Sequence, residues 1–229
     1  MTFKRIKNFL IQLSYLPLYV RHISRFLTAA KHYSQDNPLE LFTDKTLSPA
    51  MRFIIETEHY SGVYRAGWLE LGRQVPLFFG EKLSDHIIGM LTILRVLRAG
   101  HRNDFPDVDW EEAVIMTIGH EYGEIRKGDF TPADGIPKEE KHRLEAEGVY
   151  GLLENVPNSK YDSRLWERYE AKNDPTARLV AEVDYLQMII KARIYERRFN
   201  KNLEEFYVPE KRDKRLLSPV LQNLFAEIL

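Results

Sequence analysis

Apolar positions along this chain recur at the three- and four-residue spacing of amphipathic helices. The clearest stretch begins near Ser84 and places one buried face along Ile87, Ile88, Met90, Leu91, Leu94 and Leu97. Strict alternation of apolar and polar residues, the pattern of a half-buried strand, is nearly absent. The pattern therefore predicts an all-α fold.

Helix-start signals divide the rest of the chain. Ser48-Pro49 and Asp174-Pro175 each combine an N-cap residue with a proline at the first helical position, which predicts helices over 49–60 and 175–198. Asp109, with Glu112 three residues later, forms a capping box for a further helix. The remaining predicted helices cover 137–153, 161–171 and 214–229.

The composition is that of a globular protein with one main domain. Of the 229 residues, 44% are hydrophobic and 29% are charged. The absence of cysteine excludes disulfides, thiolate zinc sites and a cysteine nucleophile. A cysteine-free chain fits a reducing compartment, so we expect a cytoplasmic protein.

The N-terminal part is basic, since no acidic residue occurs before Asp36. We therefore divide the chain into a basic helical extension, residues 1–45, and a main domain, residues 46–229. The extension has two alternatives: helices packed on the domain, or a peripheral contact of residues 1–34 with an anionic membrane surface. Its apolar run, residues 9–20, is shorter than the roughly 20 residues that span a bilayer.

Three separate helical stretches carry side chains that can bind a metal: His86, the pair His120-Glu121, and Asp184. An ionised carboxylate in an apolar helix, such as Asp184, needs a partner or a cation. One shared ion would account for all four residues. Two imidazoles and two carboxylates suit Mn, Fe, Co, Ni or Zn better than Mg or Ca.

Each of these residues also has a purely structural explanation. A histidine on an apolar helix is commonly a hydrogen-bonded core residue. Asp184 could pair with Arg193, and Glu121 and Glu124 could lie on a solvated helix face. Adjacent His120 and Glu121 can reach one ion only where the helix loosens, for which the neighbouring glycines provide an opportunity.

Several motifs follow one another in a specific order: Arg-Ala-Gly-Trp at 65–68, Ser-Asp-His at 84–86, His-Glu-Tyr-Gly-Glu at 120–124 and Gly-Asp-Phe-Thr-Pro at 128–132. With Val-Asp-Tyr-Leu at 183–186, they resemble the motifs of the HD-domain metal-dependent phosphohydrolases, in the 5′-deoxynucleotidase branch. The resemblance implies an HD-domain-like helical bundle. It also implies hydrolysis of deoxynucleoside 5′-monophosphates.

The resemblance implies a role for each matching residue near the metal. His86, His120, Glu121 and Asp184 would bind the divalent transition metal (Mn, Co, Fe, Ni or Zn). Glu124 would position or deprotonate the attacking water.

The resemblance likewise implies the groups that contact the substrate. Arg65 would hold the phosphate, for which its multi-donor guanidinium is suited. Asp129 would contact the sugar or support the water network. Trp68 is assigned to substrate binding, with simple packing as the alternative. The expected partner is a small phosphate compound, a nucleotide in the family, and not a nucleic acid; an apolar helical surface would permit a homodimer.

The chain departs from the family at three positions. Glu121 replaces the aspartate of the defining pair, and Tyr185 and Gln187 stand where the branch usually carries lysine and glutamate. Because the side chain of Glu121 is longer than that of aspartate, a second function stays open: a non-catalytic HD-fold protein that binds a nucleotide or another ligand. The changes near Asp184 leave open hydrolysis of a different phosphorylated metabolite.

Overall fold

The structure, a computed structural model, describes residues 37–229 except residues 71, 72, 74, 155 and 158. Within this part of the chain the only β-structure is an isolated bridge between Tyr64 and Lys82, so the all-α prediction is confirmed. The expectations for residues 1–36 lie outside the described residues. Among the described helices, none combines the length and apolar character that a membrane crossing requires.

The described part of the chain forms nine α-helices, joined by loops and short 3-10 turns. They are α1 (Pro49–Thr57), α2 (Leu83–Gly100), α3 (Trp110–Gly119), α4 (Tyr122–Lys127), α5 (Lys138–Leu153), α6 (Ser159–Ala171), α7 (Pro175–Phe199), α8 (Pro209–Arg215) and α9 (Pro219–Ala226).

The predicted helix starts rest on local caps. The hydroxyl of Ser48 accepts a hydrogen bond from Met51 N at 3.2 Å, and the carboxylate of Asp174 accepts one from Ala177 N at 3.0 Å. Each cap satisfies a backbone N–H that has no partner inside the helix. The sequence alone therefore locates the starts of α1 and α7.

The predicted capping box at Asp109 is wrong in one half. The Asp109 carboxylate caps the N–H groups of Glu111 and Glu112 as expected. The Glu112 side chain, however, accepts a hydrogen bond from Arg168 of α6 at 2.7 Å, while Asp109 N donates to Thr176. A charged partner in another helix has displaced the local contact.

The prediction of one C-terminal helix over 214–229 is also wrong, because the chain breaks between α8 and α9. The buried carboxylate of Glu182 in α7 accepts hydrogen bonds from Leu217 N at 2.8 Å and Ser218 N at 2.7 Å. It also accepts one from the Ser218 hydroxyl at 2.9 Å. This acceptor lies 35 residues away in sequence, and Pro219 then restarts the helix.

Two apolar clusters form the core. The larger one joins α2, α3, α6 and α7, with α7 lying against the other three. The smaller one joins α4, α5 and α6 through Tyr122, Ile125, Val149 and Trp166. Met116 of α3 belongs to the larger cluster and Tyr122 of α4 to the smaller one, so His120 and Glu121 lie along the chain between the two.

Helices α4 and α5 touch backbone to backbone. A Cβ added at Gly148 would lie 2.5 Å from the carbonyl oxygen of Gly123, and one added at Gly123 would lie 2.7 Å from that of Glu145. Glycine is required at this contact because a side chain has no room there. The contact fixes the position of the short helix α4, which carries Glu124.

Candidate metal centre

The helix that ends at Gly119 is interrupted at His120 and Glu121 before α4 begins. Glu121 has φ −100° and ψ 11°, which are not helical values. The hydroxyl of Tyr60 donates to the carbonyl oxygen of Ile118 in the final turn of α3. Because the helix is broken, these adjacent side chains point to the same place, and His120 Nε2 lies 3.4 Å from Glu121 Oε1.

The four side chains grouped from the sequence lie close together. His86, in the first turn of α2, has its Nε2 atom 3.3 Å from Asp184 Oδ1 and 3.7 Å from Glu121 Oε1. The imidazole rings of His86 and His120 have centroids 5.5 Å apart. One donor atom each from His86, His120 and Glu121 lie within 4.8 Å of one another. Residues remote in sequence therefore converge on one buried point.

Both histidines have one nitrogen engaged and the other without a hydrogen-bond partner. His86 Nδ1 lies 2.6 Å from Gln187 Oε1, and His120 Nδ1 lies 2.8 Å from the carbonyl oxygen of Thr117. The two Nε2 atoms are buried and unbonded. An unsatisfied buried polar atom costs about 1–3 kcal/mol. Two such nitrogens beside two carboxylates fit the donor set of a divalent transition metal.

The alternatives for Glu121, Glu124 and Asp184 are wrong in this structure. Glu121 and Glu124 are each only 7% exposed and do not form a solvated helix face. Asp184 accepts a hydrogen bond from the hydroxyl of Tyr169 at 3.2 Å, whereas Arg193 pairs with Glu196. The explanation that each histidine is a hydrogen-bonded core residue accounts for its Nδ1 atom but not for its Nε2 atom.

Arg65 connects the cluster to the loop before α2. Its guanidinium forms a salt bridge with Glu121, and the neighbouring Ala66 N donates to Asp129 Oδ2 at 2.6 Å. Burial alone would lower the pKa of Arg65, but Glu121 and Asp129 raise it overall. A permanent positive charge therefore lies among the carboxylates.

The four carboxyl groups of the site fall into two classes. Burial would raise the pKa of Glu121 and of Asp184, yet the neighbouring histidines and Arg65 hold both well below their usual range. Burial raises the pKa of Glu124 well above its usual value, and Asp129 and Glu121 add to the effect. Burial likewise raises the pKa of Asp129, against the opposing charge of Arg65.

This division assigns different chemistry to the two classes. Glu121 and Asp184 remain ionised and can face a cation. Glu124 has a raised pKa and a buried Oε2 without a hydrogen-bond partner. A carboxyl group whose pKa is raised is a stronger base than an ordinary glutamate, and it is suited to exchange a proton with a water.

Two adjoining cavities open onto these residues. The first, of about 290 Å³, is lined by the carboxylates, His120 and Tyr169. The second, of about 400 Å³, shares Arg65, Asp129 and Lys141 with the first. It extends to Lys211 and Arg215 of α8. The first cavity is predominantly acidic and the second predominantly basic.

Trp68 lies in the core rather than along the acidic cavity. It is 3% exposed, its ring packs against Tyr195 and Phe206, and its indole N–H donates to Glu81 Oε2 at 2.7 Å. Of the two cavities described above, Trp68 lines the basic one. The packing alternative describes these contacts, and a role in substrate binding stays a prediction.

The structure adds several residues that the sequence analysis did not assign to the site: Glu81, Lys141, Tyr169, Gln187, Lys211 and Arg215. Their hydrogen bonds and cavity positions depend on the packing of α5, α6, α7 and α8 around the loop at Arg65. The four-residue spacing of Lys211 and Arg215 is compatible with a shared helix face, but nothing in the sequence places that face beside Arg65.

Comparison with known proteins links this geometry to a family. The family model described as HD domain matches residues 61–222. The 5′-deoxynucleotidase HDDC2 of Bos taurus is 30% identical over 175 residues, which cover 75% of this chain and 80% of that protein. The Homo sapiens protein of the same name is 34% identical over 149 residues, covering 63% and 68% respectively.

Solved structures have the same architecture. A protein from Pyrococcus horikoshii OT3 matches with a TM-score of 0.64 and 27% identity, over 78% of this chain and 97% of that chain. A predicted metal-dependent phosphohydrolase from Magnetospirillum magnetotacticum MS-1 matches with a TM-score of 0.57 over 79% and 91% of the two chains. Because the sequence identity is 23%, this second match supports only the similarity in fold.

Proposed function

This chain belongs to the HD-domain family, in the branch of the 5′-deoxynucleotidases, and from that premise we propose that it hydrolyses deoxynucleoside 5′-monophosphates with a divalent transition metal. The ligands are His86, His120, Glu121 and Asp184. One observation carries the proposal: two buried imidazole nitrogens without hydrogen-bond partners face two carboxylates that stay ionised. A bound metal ion would neutralise phosphate charge and lower the pKa of a water.

Arg65 binds the phosphate in this proposal. It lines both cavities, so its guanidinium is available to a group that lies across their junction. Only one of its nitrogens is engaged by Glu121, and the planar guanidinium has further donors for phosphate oxygens. Its positive charge offsets the repulsion between a phosphate dianion and the surrounding carboxylates.

Glu124 accepts the proton of the attacking water at Oε2. This atom is buried and unbonded, and the raised pKa of Glu124 makes its carboxylate a stronger base than that of an exposed glutamate. Asp129 holds the loop that carries Arg65, because its Oδ2 atom accepts the Ala66 N–H. Its second oxygen remains for a sugar hydroxyl.

The basic cavity accommodates the leaving nucleoside. Lys211 and Arg215 lie on one face of α8, and both line this cavity. The guanidinium of Arg215 lies over the ring of Tyr185, 4.2 Å from its centroid, and Lys211 Nζ donates to the carbonyl oxygen of Glu205 at 2.8 Å. These contacts hold the two cations toward a leaving group that has hydrogen-bond acceptors.

The test is metal analysis of the purified protein, followed by hydrolysis assays with deoxynucleoside 5′-monophosphates under Mn, Co and Zn. We expect bound metal and release of phosphate. His120→Ala should lose both metal and activity, and Glu121→Asp should keep the metal. Metal binding without hydrolysis of any phosphomonoester would favour the non-catalytic binding protein. A wild-type protein that binds none of these metals would overturn the proposal.

A further inference from the structure

A chain of buried polar side chains extends from His86 away from the metal cluster. His86 Nδ1 lies 2.6 Å from Gln187 Oε1, and Gln187 Nε2 donates to Glu81 Oε1 at 2.7 Å. The other oxygen of Glu81 accepts the indole N–H of Trp68 at 2.7 Å, and Lys191 Nζ lies 3.4 Å from Glu81 Oε1. Glu81 is 1% exposed and Gln187 is 5% exposed.

The chemistry of Glu81 fixes the direction of every hydrogen bond in this chain. The indole N–H of Trp68 and the ammonium group of Lys191 can only donate, so both oxygens of Glu81 act as acceptors. Gln187 must therefore present its amide nitrogen to Glu81 and its amide oxygen to His86. His86 must then donate from Nδ1. A neutral imidazole with its proton at Nδ1 has its lone pair at Nε2, the atom that faces Glu121 and Asp184.

We infer that Gln187 is a positioning residue for metal binding, which it supports by fixing the tautomer and ring orientation of His86 through its link to Glu81. This inference rests on the proposed function, because the lone pair at Nε2 matters only if it binds a metal. Partners that orient a ligating histidine typically contribute 10–100-fold to metal affinity, which is about the effect we expect here.

Gly89 leaves the space that the side chain of Gln187 occupies. A Cβ added at Gly89, on α2, would lie 2.9 Å from both Cγ and Nε2 of Gln187. The two helices therefore meet at a position where only glycine leaves the amide undisturbed. Gly100, at the end of the same helix, has nothing within 4 Å of an added Cβ and provides a matched control.

An exchange of the amide and the carboxylate tests the inference. Gln187→Glu keeps an acceptor for His86 Nδ1, but it sets two carboxylates against each other without the bridging N–H, and their repulsion displaces the side chain that orients the ring. In Glu81→Gln, the new amide can hydrogen-bond to both Trp68 and Gln187 only if the Gln187 amide rotates by about 180° and exchanges its oxygen and nitrogen. His86 Nδ1 would then have to act as an acceptor. The double variant Glu81→Gln/Gln187→Glu restores the donor–acceptor pairs that lead from Trp68 to His86, although not the contact of Lys191 with position 81: the new amide accepts from Trp68 and donates to the new carboxylate, which accepts from His86.

The readout is the dissociation constant for Zn²⁺ and Mn²⁺, measured by competition with a chromophoric chelator. Each single variant should bind these ions about 10–100-fold more weakly than wild type. The double variant should recover to within about threefold, as expected for two directly coupled side chains. Thermal unfolding of the metal-free variants checks that each one folds.

Gly89→Ala keeps the inference testable if a charge variant does not fold. We expect it to weaken metal binding, whereas Gly100→Ala should bind metal like wild type. The inference is overturned if the wild type binds metal and the single variants and Gly89→Ala bind it equally well. It is also overturned if the double variant binds no better than the singles. A wild type without metal affinity would instead defeat the proposed function on which the inference rests.

Discussion

Substitution of Gly148 tests whether the α4–α5 contact positions the catalytic machinery. The added Cβ of Gly148→Ala would lie 2.5 Å from the Gly123 carbonyl oxygen, where ordinary van der Waals contact begins at 3.4 Å. The opposing atom belongs to the backbone and cannot rotate away. The two helices must therefore separate by about 0.9 Å at this point.

The structural cost and the catalytic cost of this separation differ. Overpacking costs about 1–3 kcal/mol of stability. The higher helix propensity of alanine offsets about 1 kcal/mol of that loss. The net loss of stability is therefore modest. A displacement of catalytic groups by about 1 Å, in contrast, can lower the rate about 100-fold, which corresponds to about 2.7 kcal/mol of activation free energy. Glu124 lies next to Gly123 and shifts with α4.

The assay measures kcat for a deoxynucleoside 5′-monophosphate at saturating metal, together with the thermal unfolding midpoint. We expect Gly148→Ala to lose about 100-fold in kcat while remaining folded. Gly100→Ala, which meets open space, should retain both kcat and stability. A Gly148→Ala protein with wild-type kcat would refute the reasoning, since the contact would then not determine where Glu124 lies.

Four further predictions follow from the site. Glu124→Gln should lower kcat about 10²–10⁴-fold with metal retained. Because the pKa of Glu124 is raised, the folded state binds more protons than the unfolded state. The free energy of unfolding of the wild type should therefore fall as pH rises from about 4.5 through that raised pKa. Urea unfolding across this pH range should show a smaller decrease for Glu124→Gln. At a free metal concentration 100 times the Kd, bound metal stabilises the wild type by about 2.7 kcal/mol, so chelation should remove that amount. Scanning calorimetry should show no such change for His120→Ala. Arg215→Ala should raise KM for a nucleotide about tenfold, the loss of one charge-assisted hydrogen bond, and leave hydrolysis of p-nitrophenyl phosphate unchanged; equal effects on both substrates would contradict a leaving-group role.

The sequence by itself determined the fold class and the starts of several helices. Ser48 and Asp174 cap their helices with their own side chains, so the information lies within a few residues of each start. The motif spacing also indicated that His86, the His120-Glu121 pair and Asp184 come together. The HD-domain assignment followed from that order and is confirmed by the family match.

Only the tertiary structure decided features that depend on partners remote in sequence. The break before α9 involves Glu182, which is 35 residues from Leu217, and the partner of His86 Nδ1 is Gln187, which is 101 residues away. The raised pKa of Glu124 arises first from burial, which depends on the packing of α4 in the folded protein. Local caps act between neighbours along the chain, whereas desolvation and long-range hydrogen bonds exist only after the helices have packed.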